Sequence, residues 1–553
     1  MKIKRILSTT LAVTSLMLAF SGCGGTENSG SDATGQPFDE TKAHLYIGNL
    51  LAGYGDDWLK SQIADFESYY KNKDFGNGKI GVQVHIDNKN AEFLQAAIYE
   101  NMKYYENDVY YLDNIPDLEM FVTGNVIAET TDWVTEKIYD EDGNIAKDTG
   151  KAATQSIIDT MYEGWAKDYE FDGKYYGLSW RVGYGGIIYD ADLFNAEGLY
   201  FYGDGELGAT QADIDAGDCS TGPDGKLGTI DDGMPNTWQD FLRLMSEMVG
   251  KNITPFTWAG QTTYQRANAF NYIYANYEGA NDYGLNFSLN GTDGTLGEIT
   301  EATGYKLLQQ EGRKAGLKAF YDISRDTRNY SENAFKSTQS HKQAEYEFVY
   351  STRTNKKIAM LMEGGWWEIE AKEYFDTMGK TNPNLGYGKR NFRLLPVPDF
   401  VGVDEVVDQT NNERVLYGTG SNSLECVSAN SPRKDLAKLW LQFVHSREQL
   451  SSFVEETSSF RPFNFTATDE EFNRYTSFTK SIYTMIEEGA KTVTDHSNSK
   501  FYKANNNYFS GFRNQVKIGN VNYTEPMAAF VTDKNFTVAQ AFQSMQNTKY
   551  PGA

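Results

Sequence analysis

Strand-like and helix-like segments alternate through the first patterned stretch of this chain, and that alternation narrows the possible folds more than any other feature. Ala43-His44-Leu45-Tyr46-Ile47 reads as a strand that runs into the turn-rich Gly48-Asn49-Leu50-Leu51-Ala52-Gly53-Tyr54-Gly55. An amphipathic helix follows from Asp56, carrying Trp58, Ile63 and Phe66. Residues 80–86 alternate Val82, Val84 and Ile86 with polar side chains, the period of a half-buried strand. A helix over 93–105 and a strand over 108–112 continue the order. Such alternation predicts α/β layers with largely parallel sheets, because parallel strands need a crossover element between them.

Ahead of this region, Lys2, Lys4 and Arg5 precede an apolar run over 11–20 that ends in Phe20-Ser21-Gly22-Cys23. Residues 1–22 have the build of a secretory signal peptide. Their apolar run is short for a bilayer span, and no later stretch approaches the roughly 18 apolar residues that a transmembrane helix needs. The small-small-Cys ending resembles a bacterial lipobox, with Phe20 where Leu is usual. Cys23 is therefore the expected lipidation site, anchoring an extracytoplasmic lipoprotein to the bacterial cell membrane. Residues 24–40 are rich in Gly, Ser, Thr and Asp without apolar periodicity, as a flexible tether from the lipidated Cys to the domain would be.

Loss of the three positive charges in residues 1–22 takes the formal charge from −25 to −28. Phosphate repulsion then opposes nucleic acid and anionic lipid as partners and leaves neutral ligands or cations. A local basic pocket using Arg181 or Arg266 would be needed for an anionic solute. Cys219 and Cys426 sit in unlike surroundings, an acidic loop and an apolar run, so no disulfide framework is expected. The chain of 553 residues exceeds what one core usually spans, so two lobes are expected. Aromatic residues make up 14%, with 37 tyrosines and 9 tryptophans, and flat amphipathic rings suit both packing and the stacking of sugar C–H faces.

A family resemblance becomes specific after residue 172. Asp172-Gly173-Lys174-Tyr175-Tyr176-Gly177-Leu178-Ser179-Trp180 forms a hairpin-like turn into residues 182–189, followed by Tyr189-Asp190, Leu193-Phe194 and Gly198-Leu199. Further on stand Pro235-Asn236-Thr237-Trp238-Gln239-Asp240-Phe241, Ile253-Thr254-Pro255-Phe256, and an apolar run from Lys357 to Glu363-Gly364-Gly365-Trp366-Trp367. Leu394-Leu395-Pro396-Val397-Pro398, a helix over 431–443, Ser459-Phe460-Arg461-Pro462-Phe463 and a short helix over 537–545 complete the series. In this order the motifs resemble family 1 extracellular solute-binding proteins, the sugar-binding lipoproteins of ABC importers related to maltose-binding protein. The resemblance implies a two-lobed type II periplasmic-binding-protein fold with a hinge between lobes. On it, lobe one holds 41–178 and 422–465, and lobe two holds 179–421 and 466–553. It also implies a monomer that closes on a carbohydrate, an oligosaccharide, and delivers it to ABC transporter permease subunits.

The ligand candidates follow from both readings. At Glu363-Gly364-Gly365-Trp366-Trp367 two glycines let the backbone turn tightly at the end of an apolar strand, so a sugar can approach without obstruction. The resemblance assigns a stacking tryptophan to Trp366, with Trp367 and Glu363 beside it. Trp180 and Tyr184 follow the first crossing between lobes. Asn49, Tyr54 and Trp58 lie on the first strand-helix connection, where open α/β sheets present a crevice. Asp113 and Asn114 end a later strand and offer groups for hydroxyls, and Trp258 and Tyr264 are aromatic candidates in lobe two.

Residues 202–235 form an acidic loop with eight carboxylates against Lys226. Asp204-Gly205-Glu206-Leu207-Gly208 and Asp224-Gly225-Lys226-Leu227-Gly228 repeat one pattern inside it, and crowded carboxylates repel unless a cation joins them. Hard oxygens at Asp213, Asp215, Asp218, Asp224, Asp231 and Asp232 suit a structural Ca²⁺, although the spacing is not that of an EF-hand. Asp293-Gly294-Thr295-Leu296-Gly297 repeats the pattern again and reads as a turn only.

Two other functions compete. A surface glycan-binding lipoprotein without a transporter would keep the fold, and a glycoside hydrolase would need paired carboxylates such as Glu363 and Glu368. A spacing of five puts those two on different helix faces, and the five histidines show no ligand spacing, so no catalytic residue is expected.

Overall fold

The computed structural model describes residues 37–51, 53–89, 96–104, 107–113, 118–419, 423–495, 497, 499–509, 516–518, 521–523, 525–547 and 549–550. Cys23, the leader, residues 24–36 of the tether and Asn114 lie outside the described residues.

Two mixed sheets and a third that bridges them organise the chain. In chain order the strands are β1 (Ala43–Leu50), β2 (Val82–Lys89), β3 (Val109–Leu112), β4 (Gly183–Tyr184), β5 (Gly186–Asp190), β6 (Ile253–Thr257), β7 (Lys357–Glu363), β8 (Phe392–Leu394), β9 (Val415–Thr419), β10 (Leu424–Val427) and β11 (Lys491–Thr494). The first sheet runs β10-β3-β1-β2, the second β6-β7-β5-β8, and the third β11-β9-β4. β1 is parallel to β2 and β3, and β6 is parallel to β7.

The expectation of largely parallel sheets needs correction at particular strands. β10 lies antiparallel on β3, and β5 lies antiparallel on β7. Each is the strand by which the chain enters a sheet from the other one. A strand reached through a crossover helix starts at the same sheet end as its predecessor, whereas one arriving directly from the other lobe starts at the opposite end.

The crossings pair side by side and form the hinge. Leu178 and Glu425 exchange both backbone hydrogen bonds, at 3.0 and 2.8 Å, and Val182 and Phe460 do so at 2.7 and 3.1 Å. β4 is antiparallel to β9 through Thr419 opposite Gly183. Backbone pairing leaves such a hinge few ways to twist apart while allowing it to bend.

Local sequence explains the main helices. In Trp238–Gly250 the Thr237 hydroxyl accepts the Asp240 N–H while Asp240 accepts that of Thr237, and Trp238, Phe241, Leu244, Met245 and Met248 recur at helical spacing on the buried face. In lobe one, Trp58, Ile63 and Phe66 of Asp57–Tyr69 pack with Trp440 of Lys434–Val444 over the first sheet. Each such aromatic contributes about 2–3 kcal/mol by leaving water. Between Thr131 and Thr160 the chain forms only the short helices Thr131–Thr135, Ala146–Thr149 and Ile157–Thr160. Asp140 accepts the N–H groups of Asp142 and Asn144, and Gly143 and Gly150 take positive φ, so turns outcompete helix there. Cys219 and Cys426 are buried and unpaired. No helix among the described residues is long and apolar enough to cross a membrane.

Candidate functional site

Where β7 ends, Glu363 is followed by two glycines that admit close neighbours on every side. A side chain at 364 would run into the Trp366 ring, and one at 365 would meet the Tyr184 backbone at 2.7 Å. The turn therefore presses the half-buried Trp366 indole toward the hinge, where Gly183 faces it. A Cβ on Gly183 would stand 3.0 Å from the indole and 3.2 Å from the Tyr54 hydroxyl. The Tyr264 ring, at the first residue of the helix Tyr264–Glu278, lies 5.8 Å from Trp366 at an angle of 19°. Two near-parallel aromatic faces from lobe two thus stand beside the hinge.

Lobe one and the crossing segment supply the polar side. Arg181, on the crossing segment, donates from Nε and Nη2 to the two carboxylate oxygens of Asp113 at 2.9 and 2.5 Å, and its Nη1 reaches the Tyr54 hydroxyl at 3.4 Å. The guanidinium also covers the Tyr54 ring at 5.1 Å. Ser459 donates to the Tyr54 hydroxyl at 3.3 Å, so the segment that follows the helix Arg447–Thr457 joins the same cluster. Burial pushes the Tyr54 phenol up while Arg181 opposes it, which keeps a neutral hydroxyl in place. Tyr54, Asp113, Arg181, Tyr264, Trp366 and Ser459 together offer ring faces and fixed donors and acceptors, the equipment for holding a polyhydroxylated solute.

Several expected ligand residues are placed elsewhere. Trp367 is completely enclosed by Phe348, Phe375, Phe392 and Phe478, so its indole has no face to present. Trp258 is likewise enclosed, against Tyr330 and Phe335. Trp58 and Trp180 stack on each other at 5.4 Å in the core packed on the first sheet, and the Trp180 indole N–H donates to the Leu112 carbonyl at 2.9 Å. Asn49 is buried on β1 and donates to Asn88, while Tyr184 is buried against Phe460. Glu363 is buried beneath the turn, its Oε1 accepting the Gly364 N–H at 2.9 Å. Tyr54, Asp113 and Trp366 are brought together. Arg181 and Ser459 complete the cluster. Arg181 adjoins the expected Trp180, and the one-residue offset puts it on the opposite side of an extended segment, which was the signal available for it.

The sequence matches the family of bacterial extracellular solute-binding proteins over residues 72–480, more than half of its length. The chain belongs to that family. Solved structures of similar architecture include the solute-binding protein RafE in complex with raffinose, at 14% identity and a TM-score of 0.51, covering 91% of this chain and 99% of the other. The apo form of RafE from Streptococcus pneumoniae matches at 13% identity and 0.52, over 92% and 97% of the two chains. A probable secreted solute-binding lipoprotein from Streptomyces coelicolor matches at 11% and 0.52, over 92% and 98%. These likenesses agree with the two-lobed fold. No curated protein is a significant match.

In this solute-binding protein the acidic loop is not gathered as a shared cation would require. Asp213 caps a helical turn by accepting from the Thr210 N–H and hydroxyl, and Asp215 accepts from the Gln211 side chain. Asp232 accepts the Gly228 N–H. Asp231, fully buried, takes an ion pair from Arg414 at 2.5 Å, and the same guanidinium stands 3.7 Å from Asp224 and 3.1 Å from Glu488. Among the described residues Asp218 joins no close group of three carboxylates either. Arg414, far along the sequence, thus answers the charges of Asp231 and Asp224. Among the described residues the one trio with ligand atoms within 4.8 Å of one another is Glu278, Asp282 and Asp293. Asp293 opens the third Asp-Gly-x-Leu-Gly copy, so that segment does more than turn. Burial, followed by the neighbouring Asp293 and Asp282 charges, raises Glu278 to about 7. Backbone N–H groups of Gly312, Gly294, Thr295 and Leu296 and the Gln310 amide donate into the trio.

Proposed function

We propose that the protein captures an oligosaccharide between its lobes at the Trp366–Tyr264 rings and delivers it to an ABC importer. The observation that carries this reading is the placing of those rings beside Tyr54 and Asp113 of lobe one, which Arg181 of the crossing segment ties together at the hinge. Ring faces stack on sugar C–H surfaces, and buried donors and acceptors discriminate hydroxyl positions. Contacts from both lobes exist only when the lobes are closed, so a bound sugar shifts the equilibrium toward the closed form that a transporter can recognise. The raffinose complex of RafE, a protein of similar fold, supports a sugar as the solute class. The lobes divide on this reading at 41–178 with 422–465 against 179–421 with 466–553, and Cys23 carries the lipid that holds the protein at the membrane.

A binder rather than a catalyst fits the carboxylates beside the tryptophans. Glu363 and Glu368 are both buried, and the Glu368 Oε2 is held by the hydroxyls of Thr476 and Ser458 at 2.6 and 3.1 Å. Glu368 is raised to about 7 by burial, yet it stands enclosed with no path to a glycosidic bond.

Titration calorimetry against raffinose, maltotriose and other oligosaccharides tests the reading. Trp366→Ala should weaken the best ligand by about 1–3 kcal/mol, the value of the lost aromatic burial. Unchanged affinity would take this ring out of the site.

A further inference from the structure

The two arginines that could have made a basic pocket for an anionic solute are both answered by buried carboxylates. Arg266 is 2% exposed and gives its Nε and Nη2 to the two oxygens of Glu525 at 2.9 and 2.6 Å. Arg181 gives the same edge to Asp113 at 2.9 and 2.5 Å, and each of these two residues keeps 8% exposure. The Tyr54 hydroxyl lies 3.4 Å from Arg181 Nη1 and faces the same Gly183 as the Trp366 indole, which puts Arg181 at the rings. Of the two arginines, Arg181 is the one that borders the site.

A guanidinium has five N–H groups in a fixed fork and grips a carboxylate through two of them at once. Asp113 occupies the Nε–Nη2 edge in this way. One N–H of Nη1 goes to the Tyr54 hydroxyl, so one N–H remains on each Nη nitrogen. The Tyr54 oxygen accepts from Arg181 and Ser459 and keeps its own O–H to give. The cluster therefore presents single donors, each matched to a hydroxyl or ring oxygen of a sugar.

Electrostatics points the same way. Burial pushes the Tyr264 phenol up, Asp495 adds to that push and Arg181 opposes it, so the guanidinium is felt at the rings together with a carboxylate. A solute carboxylate brought to the remaining Arg181 donors would lie next to the Asp113 carboxylate in a largely buried site, where like charges repel strongly and lost hydration is not replaced. A neutral hydroxyl takes the same donors without that cost.

We propose that the Arg181–Asp113 pair determines specificity, admitting neutral sugars and rejecting acidic ones such as uronates. Asp113 cancels the charge that would draw an anion and fills the edge that would grip it. Arg181 in turn cancels the charge that would draw an amino sugar. The inference rests on the carbohydrate reading of the Trp366 site and adds which sugars that site takes.

Calorimetry compares raffinose and maltotriose with the uronates made by oxidising their primary hydroxyls, in wild type and in Asp113→Asn, which leaves the Arg181 charge uncancelled. Wild type should bind each uronate at least a hundredfold more weakly than its parent sugar. In Asp113→Asn that gap should narrow at least tenfold, through tighter uronate binding. An unchanged gap, or a wild type that binds uronate and parent alike, would overturn the proposal. Arg181→Gln tests the other half and decides alone if Asp113→Asn does not fold. Its uncancelled Asp113 should improve the binding of a glucosamine trisaccharide relative to maltotriose at least tenfold, and no gain would overturn the proposal. Failure of wild type to bind either neutral sugar would remove the carbohydrate reading and this inference with it; neutral binding with unchanged gaps would remove the role of the pair alone.

Discussion

The acidic loop over residues 202–235 and Glu345, fully buried on the helix His341–Tyr350, both hold carboxylates that need an answer, yet they live under opposite conditions. In the loop, Asp213 and Asp215 are answered by nearby N–H or hydroxyl groups, Asp232 at one oxygen by the Gly228 N–H, and Asp224 and Asp231 by Arg414. At Glu345 neither carboxyl oxygen has a hydrogen-bond partner. Crowding along a chain is easily relieved, because loop carboxylates can turn to solvent or to their own backbone. A carboxyl enclosed by packed side chains has no such outlet, and a proton is the smallest group that relieves it.

The largest expected effect breaks the loop side of this comparison. Arg414→Ala leaves Asp231 buried without its cation and should cost about 3–5 kcal/mol of unfolding free energy in urea titration. A loss under about 1 kcal/mol would mean that the loop relies on something other than Arg414, and would return Ca²⁺ to consideration. Glu345→Gln works in the other direction. At pH 8 it should stabilise the fold by about 1–3 kcal/mol, since it replaces an unanswered acceptor with a donor.

That gain should itself depend on pH. Glu345 and Glu363 have folded-state values raised above those of the unfolded chain, so the native state binds more protons between the two values and stability falls as pH rises through that range. Glu345→Gln and wild type should thus converge near pH 5 and diverge toward pH 9 in thermal unfolding; a constant gap would show that protonation is not the cause. The smallest effect belongs to chelation. With Arg414 in place, EDTA should move the melting temperature by less than about 1 °C, because only an ion that binds the native state contributes stability that a chelator can remove. A clear drop would show that a cation also holds the protein.

Much of the architecture was legible from periodicity. The strand expected at 80–86 stands at Val82–Lys89, and the helix expected from Asp56 begins at Asp57. Strand direction at the crossings was not legible, since β5 and β10 are antiparallel on account of where the chain comes from and not of their residues. The site divided in the same way. The Gly364-Gly365 turn pointed to Trp366, but nothing local separates Trp366 from Trp367. Phe348 and Phe478, distant in sequence on either side, enclose one, while Gly183 and Tyr264 leave the other half open.

By itself the sequence determined the alternating elements, the family motifs and the presence of an aromatic-rich, strongly acidic chain, because these depend on near-neighbour spacing and on totals. Only the tertiary structure decided which indoles are walls and which are faces, which carboxylates have partners, and which lobe-one groups meet Trp366. Those outcomes depend on contacts between residues tens to hundreds of positions apart, and in a close-packed interior a side chain's chemistry is set by whatever the fold places against it.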